Sequence, residues 1–279
     1  MGLIIIRYNK MENIKTGLVL SGGGTKGIAH AGVLKFLLEQ NIEINMISGT
    51  SAGALAGALF AFGKTPEEIL KFFQSVNFFH WRHFVFNKPG IVSSQIFRIY
   101  LDPIFADLKI KDAKIPLLLA ATDLCSGTLE VFDEETKVVD AIISSAAIPG
   151  VATPFRLNGK VYCDGGVIDN FPVDLVLDKA DKIIGVYLSP LNKVTPERVS
   201  SIRSVTQRAL DILIDRGERY KFKYCDWLIS LNELEHYGSF ETKLHRMEDI
   251  FNIGYEVAKK TFSPDFYTKK SSSSDEENK

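Results

Sequence analysis

The sequence predicts a three-layer α/β/α domain with a central, largely parallel sheet. Short apolar runs that suit buried strands alternate with segments that suit helices, and this alternation is typical of layered α/β domains. Two strand-to-helix junctions are rich in glycine, at residues 22–27 and 49–53. We therefore expect one domain over 17–267, an extension over 1–16 that includes the start of the first strand, and a disordered, charged, Ser-rich tail over 268–279.

Composition narrows the class of protein. The 46% of apolar and 24% of charged residues are an ordinary globular balance. Thirty-three basic residues against 34 acidic ones leave a net charge of −1, so no overall field favours nucleic acid. The three scattered cysteines, Cys125, Cys163 and Cys225, indicate a reducing compartment. Neither a membrane-spanning run nor a secretory signal is evident, which predicts a cytoplasmic location; peripheral membrane contact and export by a route without a signal stay open.

The first half of the chain predicts its elements in order. A buried strand over 17–21 leads through the first glycine junction into a helix over 28–40, and a second strand is predicted over 42–47. A capping box with Pro at the first helical position begins another helix at Thr65. The elements expected after it are a helix over 93–105, a strand over 115–124, a short pairing strand over 128–132 and a helix over 138–147.

The second half is organised around a hairpin. Strands over 155–157 and 160–163 are joined by Asn158 and Gly159, a strong signal for a two-residue hairpin turn, and the second of these strands leads directly to Asp164. The elements expected afterwards are a strand over 182–188, a helix in which Ile202, Val205, Ala209, Ile212 and Leu213 lie at helical spacing, a strand over 226–231 and a helix over 243–262.

The second glycine junction reads G-x-S-x-G. A strand, a tight turn and a helix place Ser51 at a nucleophile elbow, where Gly49 and Gly53 avoid clashes with the following helix. The hydroxyl is expected to project into solvent above a helix N-terminus, which favours developing negative charge. The competing interpretation is a glycine-rich turn with an incidental serine.

The first glycine junction also fits two functions. It is a literal G-x-G-x-x-G, but a dinucleotide site needs an acidic residue after the second strand, and that strand runs into Ser51 instead. A phosphate-binding Walker loop needs lysine after Gly27, where Ile28 stands. The alternative is that the N–H groups of Gly22, Gly23 and Gly24 form an oxyanion hole beside Ser51.

A serine nucleophile needs a base, and none of the histidines after Ser51 lies in the glycine-rich loop that a catalytic triad would use. His236 comes nearest to such a loop, and the others are His80, His83 and His245. His30, on the first helix, is expected to pack. The acidic candidates at strand ends are Asp164 and Asp123, although Asp164 with its two glycines could also be a simple turn, and Asp123 is expected to cap a loop.

Three blocks in order resemble the patatin-like phospholipase family: residues 22–27, 49–53 and 164–166, with supporting similarity around 27–34, 145–149 and 170–172. The resemblance implies a Ser51–Asp164 dyad without histidine, and no metal or organic cofactor. It also implies an oxyanion hole from Gly22, Gly23 and Gly24, and lipid esters as substrates: phospholipid, lysophospholipid or neutral glyceride. The matching blocks add supporting residues, namely Lys26, Gly49, Gly53, Gly165 and Gly166.

Other functions remain open at this point. The same site could transfer an acyl group to an acceptor other than water, or the protein could bind lipids or a partner through a vestigial site, although both dyad residues are present. A nucleotide-binding oxidoreductase is a more distant alternative.

One aromatic segment bears on how lipid reaches Ser51. Its rings either pack in the core, as we expect of Phe72 and Phe73, or lie at the rim of the cleft as a mobile, membrane-contacting segment around Trp81. The other rings of the segment are Phe78, Phe79, Phe84 and Phe86, with His80, Arg82, His83 and Lys88 interleaved.

Overall fold

A computed structural model describes residues 14–76, 89–188, 190–191 and 193–267. The strands are β1 (Thr16–Leu20), β2 (Met46–Gly49), β3 (Leu117–Asp123), β4 (Thr128–Val131), β5 (Phe155–Leu157), β6 (Lys160–Cys163), β7 (Lys182–Tyr187) and β8 (Trp227–Ser230). The helices are α1 (Ile28–Glu39), α2 (Ala52–Ala61), α3 (Pro66–Ser75), α4 (Phe97–Phe105), α5 (Val138–Ser145), α6 (Ile202–Glu218) and α7 (Leu244–Thr261).

One sheet joins all of these strands in the order β5-β6-β3-β2-β1-β7-β8, with β4 pairing with β3. Along this order, each pair of adjacent strands in the part β3-β2-β1-β7-β8 is parallel. The other pairs are antiparallel: β3 with β4, β3 with β6, and the hairpin of β5 and β6. Because parallel strands need crossover connections, helices cover the sheet. The predicted three-layer α/β/α architecture with a largely parallel sheet is confirmed.

The side chains of β1 alternate between two hydrophobic cores, one on each face of the sheet. Leu18 and Leu20 belong to the larger core, which α1, α2, α5 and α7 share. Val19 lies between them and joins a smaller core on the opposite face, together with Phe171 and Tyr187. Successive side chains of a strand point to opposite faces, so a strand buried on both sides is apolar throughout.

Two local predictions hold in detail. The Thr65 side chain accepts a hydrogen bond from the Glu68 backbone, and the Glu68 carboxylate accepts one from the Thr65 backbone, which completes the capping box of α3. Asn158 and Gly159 both have positive φ, 49° and 80°. Two positive φ angles match the right-handed twist of the flanking strands, so the hairpin delivers Asp164 as expected.

The predicted second strand over 42–47 is wrong in its boundaries. β2 begins at Met46 and continues through Gly49. The side chain of Asn45 accepts a hydrogen bond from the Thr16 backbone at 2.6 Å, and the Asn45 backbone donates to the Thr16 carbonyl at 2.9 Å. These bonds fix the entry to the strand at Asn45, and the apolar residues before it are buried in a connecting loop.

The segment around Trp81 lies outside the described residues, as do the N-terminal residues 1–13 and the tail 268–279. Phe72 and Phe73, on α3, are buried in the larger core, in agreement with the core interpretation of these two rings. Within the described ranges, no helix is both long enough and apolar enough to cross a bilayer.

Candidate active site

Ser51 occupies a strained turn between β2 and α2. Its φ and ψ are 54° and −119°, a conformation that non-glycine residues rarely adopt and that clusters at functional sites. The turn is possible because Gly53 lies against β1, where a Cβ atom would come within 2.0 Å of the Leu20 carbonyl oxygen. A Cβ on Gly49 would in turn meet the backbone of Gly53 at 2.6 Å. Both glycines of the pentapeptide are therefore required by backbone contact.

The environment of Ser51 differs from the expected exposure to solvent. Only 4% of the residue is accessible, because it lies at the floor of a cleft. Its backbone N–H donates to Ser145 Oγ at 2.9 Å, which ties the elbow to the end of α5. The hydroxyl opens into two cavities rather than into bulk solvent.

Asp164 follows β6 and meets Ser51 across 113 positions of sequence. The Ser51 hydroxyl donates to Asp164 Oδ2 at 2.5 Å, and the Gly166 backbone donates to Oδ1 at 2.8 Å. Burial raises the pKa of Asp164 to about 6, although both hydrogen bonds act in the opposite direction. A buried carboxylate with a raised pKa is a stronger base than an exposed one, which suits it to accept the serine proton.

The rival acid Asp123 and two of the histidines, His30 and His236, make contacts of their own away from the Ser51–Asp164 pair. Asp123 accepts hydrogen bonds from the Cys125 backbone and from Ser126 Oγ, each at 2.9 Å, and so caps the turn between β3 and β4. His30 is buried and its Nε2 hydrogen-bonds the Ser21 carbonyl at 2.9 Å, while burial lowers its pKa to about 4. His236 pairs with Glu235 at an exposed position.

The glycine loop lies beside Ser51, but its three N–H groups are not equivalent. Gly22 donates to the Asn170 carbonyl at 3.0 Å. In the described part of the chain, the N–H groups of Gly23 and Gly24 have no hydrogen-bond acceptor. A Cβ on Gly22 would lie 2.3 Å from Asn170 Oδ1 and 3.2 Å from Ser51 Cβ. The loop is therefore anchored by Gly22 and leaves Gly23 and Gly24 able to donate to a ligand.

Asn170 also connects this loop to the turn that carries Asp164. A Cβ on Gly166 would lie 2.6 Å from Asn170 Oδ1, so both glycines are needed for the amide to fit between the two segments. Gly165 packs on β3, where a Cβ would approach the Ala120 carbonyl oxygen to 2.6 Å.

A buried ion cluster supports the Asp164 turn from behind. The ammonium of Lys221 contacts Asp169 at 2.7 Å and Glu218 at 3.0 Å. Glu218 accepts a hydrogen bond from the Asn170 backbone at 2.7 Å, and the Asp169 carbonyl accepts one from Thr50 Oγ1 at 2.9 Å. Burial opposes the charge of Lys221, but the two carboxylates raise its pKa above the ordinary value. The C-terminal third of the chain thus fixes the turn next to both Ser51 and Asp164.

Lys221→Met should destabilise the protein strongly, because it leaves the Asp169 and Glu218 carboxylates buried without a cation. Removing one partner of a buried pair costs about 3–5 kcal/mol, which corresponds to a fall in Tm of roughly 10 °C for a chain of this size. Thermal unfolding followed by circular dichroism measures the difference. Lys111→Met is the matched control, since Lys111 pairs with Glu135 at the surface and an exposed pair contributes about 0–1 kcal/mol. Equal shifts for the two variants would contradict the role of the cluster.

Two cavities of different character share Ser51. The smaller, with a volume of about 50 Å³, is almost wholly apolar, and its walls include Leu55, Phe73, Val92, Phe97, Val151 and Phe240. The larger, of about 320 Å³, has a mixed lining, and we call it the polar cavity because charged and amide side chains join its apolar ones; these are Lys26, Asp164, Asn170, Arg208, Asp211 and Glu235. Lys26 is partly buried, and desolvation lowers its pKa while the charge of Asp211 raises it.

The structure brings together most of the residues that the sequence singled out, and it adds several. Ser51, Asp164 and Lys26 line one cleft together with Gly23 and Gly24 of the glycine loop. No feature of the sequence pointed to Lys221 or Glu218, because each acts through a contact between segments distant in the chain. Ser145 and Asn170 were included only as parts of matching blocks.

Comparison with known proteins covers the same region. Residues 18–177, more than half of the 279 residues, match the family model described as Patatin-like phospholipase. An uncharacterized NTE family protein of Mycobacterium tuberculosis is 31% identical over 197 residues, which cover 66% of this chain and 52% of the relative. A protein named Lysophospholipase NTE1 from the yeast Meyerozyma guilliermondii is 30% identical, over 67% of this chain and 13% of its own length.

Among solved structures, VipD from Legionella pneumophila superposes with a TM-score of 0.57 at 16% sequence identity, over 89% of this chain and 66% of that one. At this level of identity the similarity concerns the fold. The chain spans about half of the mycobacterial relative, a small part of the yeast one and just under two thirds of VipD.

Proposed function

The chain belongs to the patatin-like phospholipase family, and from that premise we propose that it hydrolyses lipid esters through a Ser51–Asp164 dyad. The observation that carries the proposal is the buried hydrogen bond of 2.5 Å from Ser51 Oγ to Asp164 Oδ2, at the point where an apolar and a polar cavity meet. A nucleophile in contact with its base is the arrangement that covalent acyl transfer requires.

The first half of the reaction forms an acyl-enzyme. Ser51 Oγ attacks the ester carbonyl carbon while its proton passes to Asp164 Oδ2. The carbonyl oxygen becomes an oxyanion, and the N–H groups of Gly23 and Gly24 donate to it in this proposal, which is supported by their lack of another acceptor in the described part of the chain. Collapse of the tetrahedral intermediate breaks the bond to the leaving alcohol, which takes the proton from Asp164.

The second half returns the enzyme to its starting state. Water attacks the acyl carbonyl and gives a proton to Asp164, a second tetrahedral intermediate forms, and its collapse releases the fatty acid. The proton returns from Asp164 to Ser51 Oγ. The same two side chains therefore act in both halves, and Asp164 alternates between base and acid.

The two cavities support a lipid as the substrate. The apolar cavity, of about 50 Å³, suits the first carbons of an acyl chain, since burial of apolar surface is favourable at roughly 25 cal/mol per Å². The polar cavity carries two cations, Lys26 and Arg208, together with several carboxylates. These charged groups suit a charged head group, and this favours phospholipid or lysophospholipid over neutral glyceride.

A substrate panel combined with active-site labelling tests the proposal. Monoacyl, diacyl and triacyl lipids are compared for release of fatty acid, and a fluorophosphonate probe is mapped by peptide mass spectrometry. We expect fatty acid release from phospholipids and a covalent adduct on Ser51. An adduct on another serine, or hydrolysis that proceeds without any labelling, would refute the assignment.

The pKa of Asp164 predicts the acidic limb of the activity profile. Only the carboxylate form accepts the serine proton, so protonation below about pH 6 removes the base. We expect kcat/KM for a soluble ester to rise with pH through this value and to level off above it, with a tenfold change per pH unit on the acidic side.

The profile also separates the dyad from a histidine-based mechanism. His236→Ala should leave the acidic limb of the pH profile unchanged, since His236 is exposed and paired with Glu235. A limb that disappears in His236→Ala would contradict the dyad, and so would activity that stays constant well below pH 6 while circular dichroism shows a folded protein.

A further inference from the structure

Helix α6 carries most of its aliphatic side chains on the face that points away from the protein. Ile202 is 90% exposed, Leu213 68%, Val205 52% and Ile212 37%. At 3.6 residues per turn these four positions share one side of the helix, and Ala209 lies among them, also exposed. We name this set, Ile202, Val205, Ala209, Ile212 and Leu213, the outer face of α6.

The opposite side of α6 holds its acidic residues. Asp211 lines the polar cavity together with Leu210 and Ile214. Asp215 and Glu218 are each only 2% exposed, and each carboxylate accepts a hydrogen bond from the backbone of a neighbouring loop. A surface helix ordinarily turns its apolar stripe inward and its charges outward. In α6 all three acidic residues face inward, so folding of the chain alone does not account for the aliphatic outer face.

The exposed charges beside the outer face are cationic. Arg216 is exposed within the arc of the outer face, three and four positions after Leu213 and Ile212. Arg219 follows at the end of the helix, with its side chain 60% exposed while it pairs with Asp215. Aliphatic side chains interspersed with arginine, without outward carboxylates, match the requirements of binding to a lipid surface that contains anionic head groups.

We propose that the outer face of α6 docks the protein on an anionic lipid bilayer. The inner face of the same helix is a wall of the cavity that contains Ser51 and Asp164, so docking would hold the bilayer about one helix diameter, roughly 10 Å, from that cavity. This placement explains why the aliphatic side chains of α6 face outward and its acidic ones inward: lipid would leave the bilayer directly beside the site. The inference rests on the proposed lipid substrate for its purpose, but membrane binding itself is measurable without turnover.

The experiment measures vesicle binding in the Ser51→Ala background, which prevents hydrolysis of the vesicles. Co-sedimentation is compared for Leu213→Glu and for the matched control Leu38→Glu. Leu38 is also an exposed helical leucine, 49% accessible. It lies in the last turn of α1, which starts after the glycine loop and runs back toward the start of β2, at the end of the parallel strands away from the site. The vesicles are phosphatidylcholine alone or phosphatidylcholine mixed with phosphatidylglycerol.

We expect the background protein to bind the mixed vesicles. Leu213→Glu should lose about tenfold or more of this binding, because the bilayer no longer buries a leucine at that position. Leu38→Glu should show no loss. Arg216→Gln should weaken binding to the mixed vesicles roughly fivefold, with little change on phosphatidylcholine alone. Absence of binding, or equal binding by Leu213→Glu and the background protein, would overturn the proposal.

Analytical ultracentrifugation tests whether a second copy of the protein, rather than a bilayer, covers the outer face of α6. If the protein is a dimer that Leu213→Glu converts to a monomer, the outer face binds a second copy and the membrane proposal fails. Turnover of a short, soluble ester by the wild-type protein tests the hydrolase function separately: its absence refutes the proposed function, whereas the vesicle data alone decide the docking surface.

Discussion

Ser51→Ala is expected to lower ester hydrolysis by several orders of magnitude and to abolish covalent labelling, while the fold stays intact. Removing the hydroxyl removes the covalent route, and losses of this kind in serine hydrolases reach about a millionfold. The fold should survive because the Ser51 side chain fills little volume, and its backbone contact with Ser145 is kept. Initial rates on a soluble ester and thermal unfolding curves measure the two effects.

A matched serine shows whether the loss is specific. Ser126 lies in the turn between β3 and β4, where its hydroxyl donates to the rival acid Asp123. Ser126→Ala should keep nearly the full rate and the full labelling. A Ser51→Ala protein that still hydrolyses the ester at a tenth of the wild-type rate would mean that another group is the nucleophile.

The parts of the site that could be predicted from sequence are those set by short-range sterics. Gly53 is needed because a backbone carbonyl of β1 lies against it, and the same requirement produces the recognisable spacing around Ser51. The hairpin turn at Asn158 and Gly159 is similarly local, since positive φ at both positions limits the residues that fit. Through that turn the sequence also predicts where Asp164 emerges from the sheet.

The parts that could not be predicted depend on segments that meet only in the folded chain. Whether the N–H of Gly22 is available depends on Asn170, which lies far along the sequence and accepts its hydrogen bond. Lys221 looks like an ordinary surface lysine in a basic stretch, yet it is 4% exposed and pairs with Asp169 and Glu218. The spacing of Ile202 and its neighbours identifies a helix correctly, but periodicity does not reveal which face meets solvent.

Asp164→Asn is expected to lower the rate nearly as much as Ser51→Ala, because the amide cannot accept the serine proton. Its shape preserves the local contacts: the amide oxygen still accepts from the Gly166 backbone, and the amide nitrogen can donate to Ser51 Oγ. We therefore expect a properly folded protein with intact substrate binding and a lost chemical step. Initial rates and calorimetric unfolding curves give both quantities.

The stability of the same variant distinguishes a catalytic carboxylate from a structural one. Because burial raises the folded-state pKa of Asp164 to about 6 from an ordinary value of 3.8, the fold is weakened as pH rises through this window, by roughly 1–3 kcal/mol once the group is ionised. The neutral amide avoids that penalty, so above pH 6 the Tm of Asp164→Asn should equal or exceed that of the wild type. A marked fall in Tm would instead assign Asp164 a structural role.

A double-mutant cycle then tests whether the two side chains act as one unit. Since members of a catalytic pair are strongly non-additive, Ser51→Ala combined with Asp164→Asn should be little slower than either single variant. If the two losses multiplied instead, the side chains would contribute independently, and the proton transfer from Ser51 to Asp164 would not be the step that links them.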